Sequence, residues 1–294
     1  MKCPETRWLY RTTDNFHELR EASCNTCIIP MGSIEKHGLH LPLGTDMFAA
    51  SQVAYEASKL ETCCVFPDFV FGNIPYNSPN APAGTYTTRM ETFMNLLEET
   101  CWQISRHGYN KILVVNGHGG NNTWLDSFIE HLQYKKRNFV FLHTEVGLPL
   151  PHKIAEAIQE KGAEAFPELT PEDVEYILKC HEENMLIGHA GLSEAAFMMA
   201  LTPENVHLDR LGIEDGHPTH DYDKYDNSGL RLGIYGWALN FPNTYCGDDP
   251  VGVNERMGRA ALRFEAENVA RMVKLLKEDT FLLEQLAQYQ QGWE

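Results

Sequence analysis

The sequence has no apolar run long enough to cross a bilayer, no internal repeat and no low-complexity tract. These absences set aside a membrane-spanning protein, a repeat array and a disordered linker. Basic residues are scarce: 24 Lys and Arg stand against 41 Asp and Glu, a formal charge of −17. Nucleic acid and anionic membrane surfaces are polyanions, so this balance argues against both as partners. Only one CxxC pair occurs, Cys24-Asn-Thr-Cys27; no second pair completes a zinc site, and its last cysteine opens a β-like run. The eight cysteines are scattered and no apolar leader is visible, the usage expected of reduced thiols in a cytoplasmic chain.

The 294 residues are 43% apolar, enough for a sizeable core, and are read as one domain over residues 1–294. A β-like run at Thr26–Pro30 is followed by a loop and a helical pattern over Met47–Leu60. A second strand fits Cys63–Val70. A helix over Thr88–His107, a short β-branched strand at Lys111–Val115, a helix over Thr123–Tyr134 and a strand at Asn138–His143 continue the alternation. Alternating β and α elements with short apolar strands predict an α/β fold with a doubly wound, mostly parallel sheet. In such sheets ligands sit beyond the carboxyl ends of the strands. Residues 147–185 are helical and charged, and are expected to form an inserted lid or an oligomer contact. Residues 202–245 show little periodicity. A last long helix is predicted over Asn254–Lys277.

Three motifs lie at helix entries. Met31-Gly-Ser-Ile-Glu-Lys-His-Gly-Leu-His-Leu-Pro-Leu-Gly-Thr-Asp46 gathers Glu35, His37, His40 and Asp46 on a glycine-punctuated loop directly after a strand. Imidazole and carboxylate are the ligand set of catalytic zinc, manganese and iron. Against this, Asp46 could cap the next helix and His40 could be a core histidine. Asn116-Gly-His118-Gly-Gly-Asn121 places one imidazole among glycines after the buried strand. Gly188-His189-Ala-Gly-Leu-Ser-Glu194 leads into an apolar helix whose N-terminus would itself favour a carboxylate. The Pro-, Asn- and Gly-rich stretch 72–86 is a long loop suited to a pocket wall, with Tyr76, Asn77 and Tyr86 as candidate substrate contacts; Asn121 is another. His217-Pro-Thr-His220 is a weaker metal-like cluster, with no strand-end turn behind it.

Taken together, these three motifs resemble those of the creatininase (creatinine amidohydrolase) family, in the right order along nearly the whole chain. The resemblance implies a three-layer α/β/α fold, a metal-dependent hydrolase with one or two divalent ions (Zn, Mn or Fe), and a homo-oligomer, a hexamer by analogy. Matched motif by motif, Glu35, Asp46 and His118 correspond to ligands of one ion. Asp46 would bridge to a second ion held by His37 and a further carboxylate. Creatinine-hydrolysing members carry that carboxylate two residues after the motif histidine, where this chain has Gly120; Glu194 is the candidate replacement. His189 matches the family's catalytic histidine. Those members also carry a tryptophan and an acid just before it, where this chain has Met185 and Gly188, which argues against creatinine itself.

The expected activity is therefore metal-assisted attack of water on the carbonyl of a small amide or cyclic amide. Two alternatives stand beside it: ring opening of a keto-inositol on the same site, and a non-catalytic small-molecule-binding scaffold.

Overall fold

Every residue of β1 (Thr26–Met31) is buried, which explains why its sequence runs apolar instead of alternating. Successive side chains of a strand point to opposite faces, and here both faces are covered. Ile28 joins one core with Leu113 and Val115, while Cys27, Ile29 and Met31 join another with Ile112 and Val114. The computed structural model describes residues 5–74 and 81–292. Its sheet adds β2 (Cys64–Val65), β3 (Lys111–Asn116) and β4 (Val140–Glu145), all parallel, in the order β2-β1-β3-β4.

The helices are α1 (Phe16–Ala22), α2 (Thr45–Leu60), α3 (Met90–Arg106), α4 (Asn122–Leu132), α5 (His152–Lys161), α6 (Pro171–Glu182), α7 (Leu192–Leu201), α8 (Asp223–Asp226), α9 (Ile234–Asn240), α10 (Glu255–Glu278) and α11 (Phe281–Tyr289). Buried residues of α2, α5, α6, α7 and α10 form one layer, rich in small side chains such as Ala54, Ala57, Ala195, Ala196, Ala260 and Ala261. Those of α1, α3 and α4 form the other, where Phe93 and Phe128 pack with Tyr109 and Phe139 from the connections before β3 and β4. The expected three-layer α/β/α architecture is the one found.

The chain winds one way from β1 to β2 and the other way from β3 to β4, so the switch point lies between β1 and β3. The loops after these two strands separate there and leave a crevice. The opposite end of β3 is fixed by Lys111, whose buried ammonium donates to the carbonyls of Leu276, Lys277 and Asp279 at the C-terminus of α10. It satisfies carbonyls that the helix leaves free and opposes the negative end of its dipole.

Several expectations are corrected. The second strand is two residues long, not the predicted Cys63–Val70, because Pro67 has no N–H to donate. The ladder resumes only where the Phe69 amide reaches the Pro30 carbonyl. Within residues 147–185, Ile154, Ala155 and Ile177 are fully buried in the alanine-rich core. Asp173 completes a capping box with Thr170 and ion-pairs with Arg256, tying α6 to α10. α9 and α11 were not expected.

Candidate metal centre

The centre forms where β1 and β3 both end against the first turn of α2. A Cβ on Gly32 would stand 2.6 Å from the Met47 amide nitrogen, and one on Gly117 would strike the Asp46 carbonyl. Only glycine lets two strand ends approach one helical turn so closely. Asp46 lies in that turn, where Gly44, not Asp46, is the N-cap. Its carboxylate is free to face the crevice. Oδ1 lies 2.9 Å from His37 Nε2, and Oδ2 lies 3.0 Å from His118 Nδ1. Glu35 Oε1 lies 2.8 Å from the same His118 nitrogen, and Glu194 Oε2 lies 3.6 Å from His37 Nε2.

Two donor groups result, Glu35–Asp46–His118 and His37–Asp46–Glu194, sharing Asp46; a third joins Glu35, His37 and His189. Within each group the donor atoms lie within 4.8 Å of one another. The side chains read from three separate motifs thus converge at one place. Glu194, three residues into α7 after Gly191, accepts the Ala190 amide and points inward. Position 120 cannot supply the carboxylate seen in creatinine-hydrolysing members. A Cβ there would strike His118 Nε2 and stand 2.7 Å from the Asn73 carbonyl oxygen.

The outer nitrogen of each histidine is held by a backbone carbonyl. His118 Nε2 donates to Asn73 at 2.6 Å, His37 Nδ1 to Glu35 at 3.2 Å and His189 Nε2 to Lys36 at 2.7 Å. A neutral ring fixed in this way presents its inner lone pair to the carboxylates. A lone pair cannot donate to a carboxylate oxygen 3 Å away, so a proton or a cation must lie between them. The three carboxylates are buried, Glu35 at 1%, Asp46 at 2% and Glu194 at 8% exposure, and their ion-pair partners among the described residues are imidazoles only. Buried anions without compensating positive charge are strongly unfavourable. The donor set fits one or two divalent cations.

The titration of the site reflects the same imbalance. Burial disfavours a charged His37 ring, but Asp46 and Glu194 outweigh it and push it up to about 10. His118 moves up as well: burial opposes its charge, and Glu35 and Asp46 prevail. Burial pushes Glu194 up to about 8 against the pull of His37. His189 is pushed down to about 4 by burial and by His37, on which its ring stacks with centroids 4.0 Å apart. Its Nδ1 lies 3.7 Å from Glu35 Oε1.

A cavity of about 430 Å³ opens onto this floor. Asn73, Trp124, Glu145, Leu148, Ile234 and Trp237 form much of its walls. Trp237 meets His189 edge-on, with centroids 5.6 Å apart. Sequence reasoning missed α9 as a wall; its only signal was a tryptophan in a stretch without periodicity.

Other expected contacts fare differently. Asn121 is buried and does not line the cavity. Its buried amide donates to Asn116 Oδ1 and the Gly32 carbonyl and accepts the Asn73 amide, fixing the loops around His118. Tyr86 is 48% exposed, packs on Phe71 and does not line the cavity. Tyr76 and Asn77 lie outside the described residues. His40 takes its bland role: Nε2 donates to the Ala190 carbonyl at 2.9 Å and its ring packs on Tyr245. His217 is held by Asp215 and Asp248, and His220 by Asp223; both are exposed and neither joins a donor group among the described residues.

Comparison with known proteins gives a consistent picture. The creatininase profile, described as creatinine amidohydrolase, matches residues 10–273. The 3-dehydro-scyllo-inosose hydrolase of Thermotoga maritima is 31% identical over 113 residues, covering 38% of this chain and 36% of its own. The 2-amino-5-formylamino-6-ribosylaminopyrimidin-4(3H)-one 5'-monophosphate deformylase of Methanococcus voltae is 36% identical over 118 residues, covering 38% of this chain and 41% of its own. The matched part is thus under half the length of either relative. Among solved structures, a Bacteroides fragilis protein described as a creatinine amidohydrolase superposes with a TM-score of 0.68 at 22% identity, covering 94% of this chain and 98% of its own. A mutant creatininase of Zn-Zn type superposes with a TM-score of 0.64 at 17% identity, covering 93% and 99%. At these identities the structures speak for the fold.

Proposed function

The chain belongs to the creatininase family, and on that premise we propose that it is a divalent-metal hydrolase cleaving a C–N bond of a small amide or cyclic amide. The observation that carries this reading is the pair of donor groups sharing Asp46 at the switch point of the sheet. Glu35, Asp46 and His118 would hold one ion, and Asp46, His37 and Glu194 a second. When bound, such ions acidify a water towards a pKa of about 7 and polarise the carbonyl under attack.

The chain's own residues do the remaining work. The backbone carbonyls of Asn73 and Glu35 hold His118 and His37 in the tautomers that face inward. His189 stays neutral at neutral pH, so its Nδ1 can take a proton from the attacking water and pass it to the leaving nitrogen. Trp237 and Ile234 line the substrate space beside it. Met185 and Gly188, where creatinine-hydrolysing relatives carry a tryptophan and an acid, speak for a substrate other than creatinine. The similarity to an inosose hydrolase supports a second reading, ring opening of a keto-inositol by the same site.

Metal analysis of the purified protein, followed by assays on panels of small amides, cyclic amides and keto-inositols, tests both readings. Bound zinc, manganese or iron is expected, with activity that a chelator removes and the ion restores. Turnover of the keto-inositols alone would select the second reading. Metal-free protein that hydrolyses neither panel after metal is added would reduce the site to a scaffold.

A further inference from the structure

The charge of the cavity is one-sided. Among the described residues, its ionisable lining residues are Glu35, Asp46, Glu145, Glu194, His118 and His189, with no lysine or arginine. Residues 75–80 contain none in sequence either. Lys36, near the floor, is engaged by Glu214 at 2.6 Å. If metal is held as proposed above, it balances Glu35, Asp46 and Glu194, and Glu145 remains as the carboxylate outside the donor groups.

Glu145 is held in place by an ordered set of contacts. It ends β4 in register with Asn116 at the end of β3, one strand across the sheet from the His118 loop. Asn116 Nδ2 donates to Asn122 Oδ1 at 3.0 Å, which turns the Asn122 amide so that Nδ2 donates to Glu145 Oε2 at 2.6 Å. Glu145 is exposed, and one of its carboxylate oxygens is engaged in this way. The other, Oε1, lies beside Gly119, a cavity residue, and a Cβ there would stand 3.3 Å from it. No ion pair among the described residues engages Glu145. Trp124 and Trp237 supply aromatic walls to the same space. A carboxylate that shares a cavity with two indoles suits an organic cation, whereas it would repel a phosphate or carboxylate away from the metal.

We propose that Glu145 is a substrate-recognition residue, and that the substrate carries an ammonium or amidinium group on a body free of phosphate and carboxylate. This rests on the cavity being the active site, but not on which bond is cleaved there. It also separates this chain from any relative acting on a monophosphate.

The test is isothermal titration of the zinc-loaded protein and its E145Q variant with benzamidinium and benzamide, ligands of nearly the same shape. Gln can still accept from Asn122, so the variant keeps its local contacts, and zinc content and thermal midpoint are measured on the same samples. Benzamidinium should bind the wild type about tenfold more tightly than benzamide, and E145Q should remove that advantage while leaving benzamide within about twofold. Equal losses for both ligands, tighter binding of benzamide, or no binding of either would overturn the proposal. Because binding needs no turnover, failure of amide hydrolysis would sink the reaction assignment alone.

Discussion

The floor and the α9 wall of the cavity are built by different means. On the floor, Glu35, His37, Asp46 and His118 are buried, and backbone carbonyls clamp both imidazoles. The wall is a seven-residue helix, α9, with exposed apolar side chains before it and within it: Leu230 is 62% and Tyr235 56% exposed. Placing a cation demands agreement of several donor atoms to within tenths of an ångström, and only strand ends and helix starts hold side chains so firmly. Covering a substrate demands bulk and apolar surface, which a short peripheral helix can supply. The comparison predicts that floor substitutions act on metal and rate together, and wall substitutions on substrate binding alone.

The largest effect should come from the shared ligand. Asp46→Asn keeps the volume but removes the anion common to both donor groups. Activity should fall by about 10³-fold or more, with loss of bound metal and an unchanged far-ultraviolet circular dichroism spectrum. His118→Ala should behave alike, losing metal while the fold persists; full activity in either variant would break the contrast at its root. Next comes Gly120→Ala, whose new methyl would strike His118 Nε2. Its kcat/KM should drop about 10- to 100-fold with weakened metal retention, since a ligand ring displaced by a few tenths of an ångström is a poorer ligand.

Trp237→Ala should raise KM by about tenfold, with metal content unchanged and kcat little altered. A loss of metal in this variant would show that wall and floor are one unit. The smallest effect lies far from the cavity. Asp173→Asn weakens the capping box of α6 and the pair with Arg256, and should cost about 1–2 kcal/mol of stability at neutral pH, with activity untouched. Arg256 holds the Asp173 carboxyl well below the usual carboxylate range. A depressed folded-state pKa means that this stability is present above the ordinary value and is lost as pH falls. The difference in unfolding free energy between wild type and variant should therefore narrow on acid titration.

The same contrast explains what could be read from sequence. The donor side chains were legible because metal chemistry restricts residue type, and glycines mark where backbones must crowd. His118 stood alone between glycines after a buried strand, and Glu194 opened an apolar helix. Asn121 was read as a substrate contact because a polar residue beside a candidate ligand histidine looks available. Only coordinates show its amide already committed to Gly32, Asn73 and Asn116. Trp237 went unnoticed because seven helical residues are too few for a period to show, and α11 was missed beyond the stretch that the long helix occupied. In the helices of 147–185 the charged residues mark outward faces, while Ile154 and Ile177 mark the faces that enter the core.

Gly32 and Gly117 carry no functional group, yet they set how near two strands can come to one turn of α2. A designer who grafted the donor side chains onto another parallel sheet would obtain scattered acids and imidazoles unless that scaffold tolerated the same backbone proximity. A search for such centres in unrelated folds should therefore begin from main-chain separations at strand termini, with the choice of side chains as the second filter.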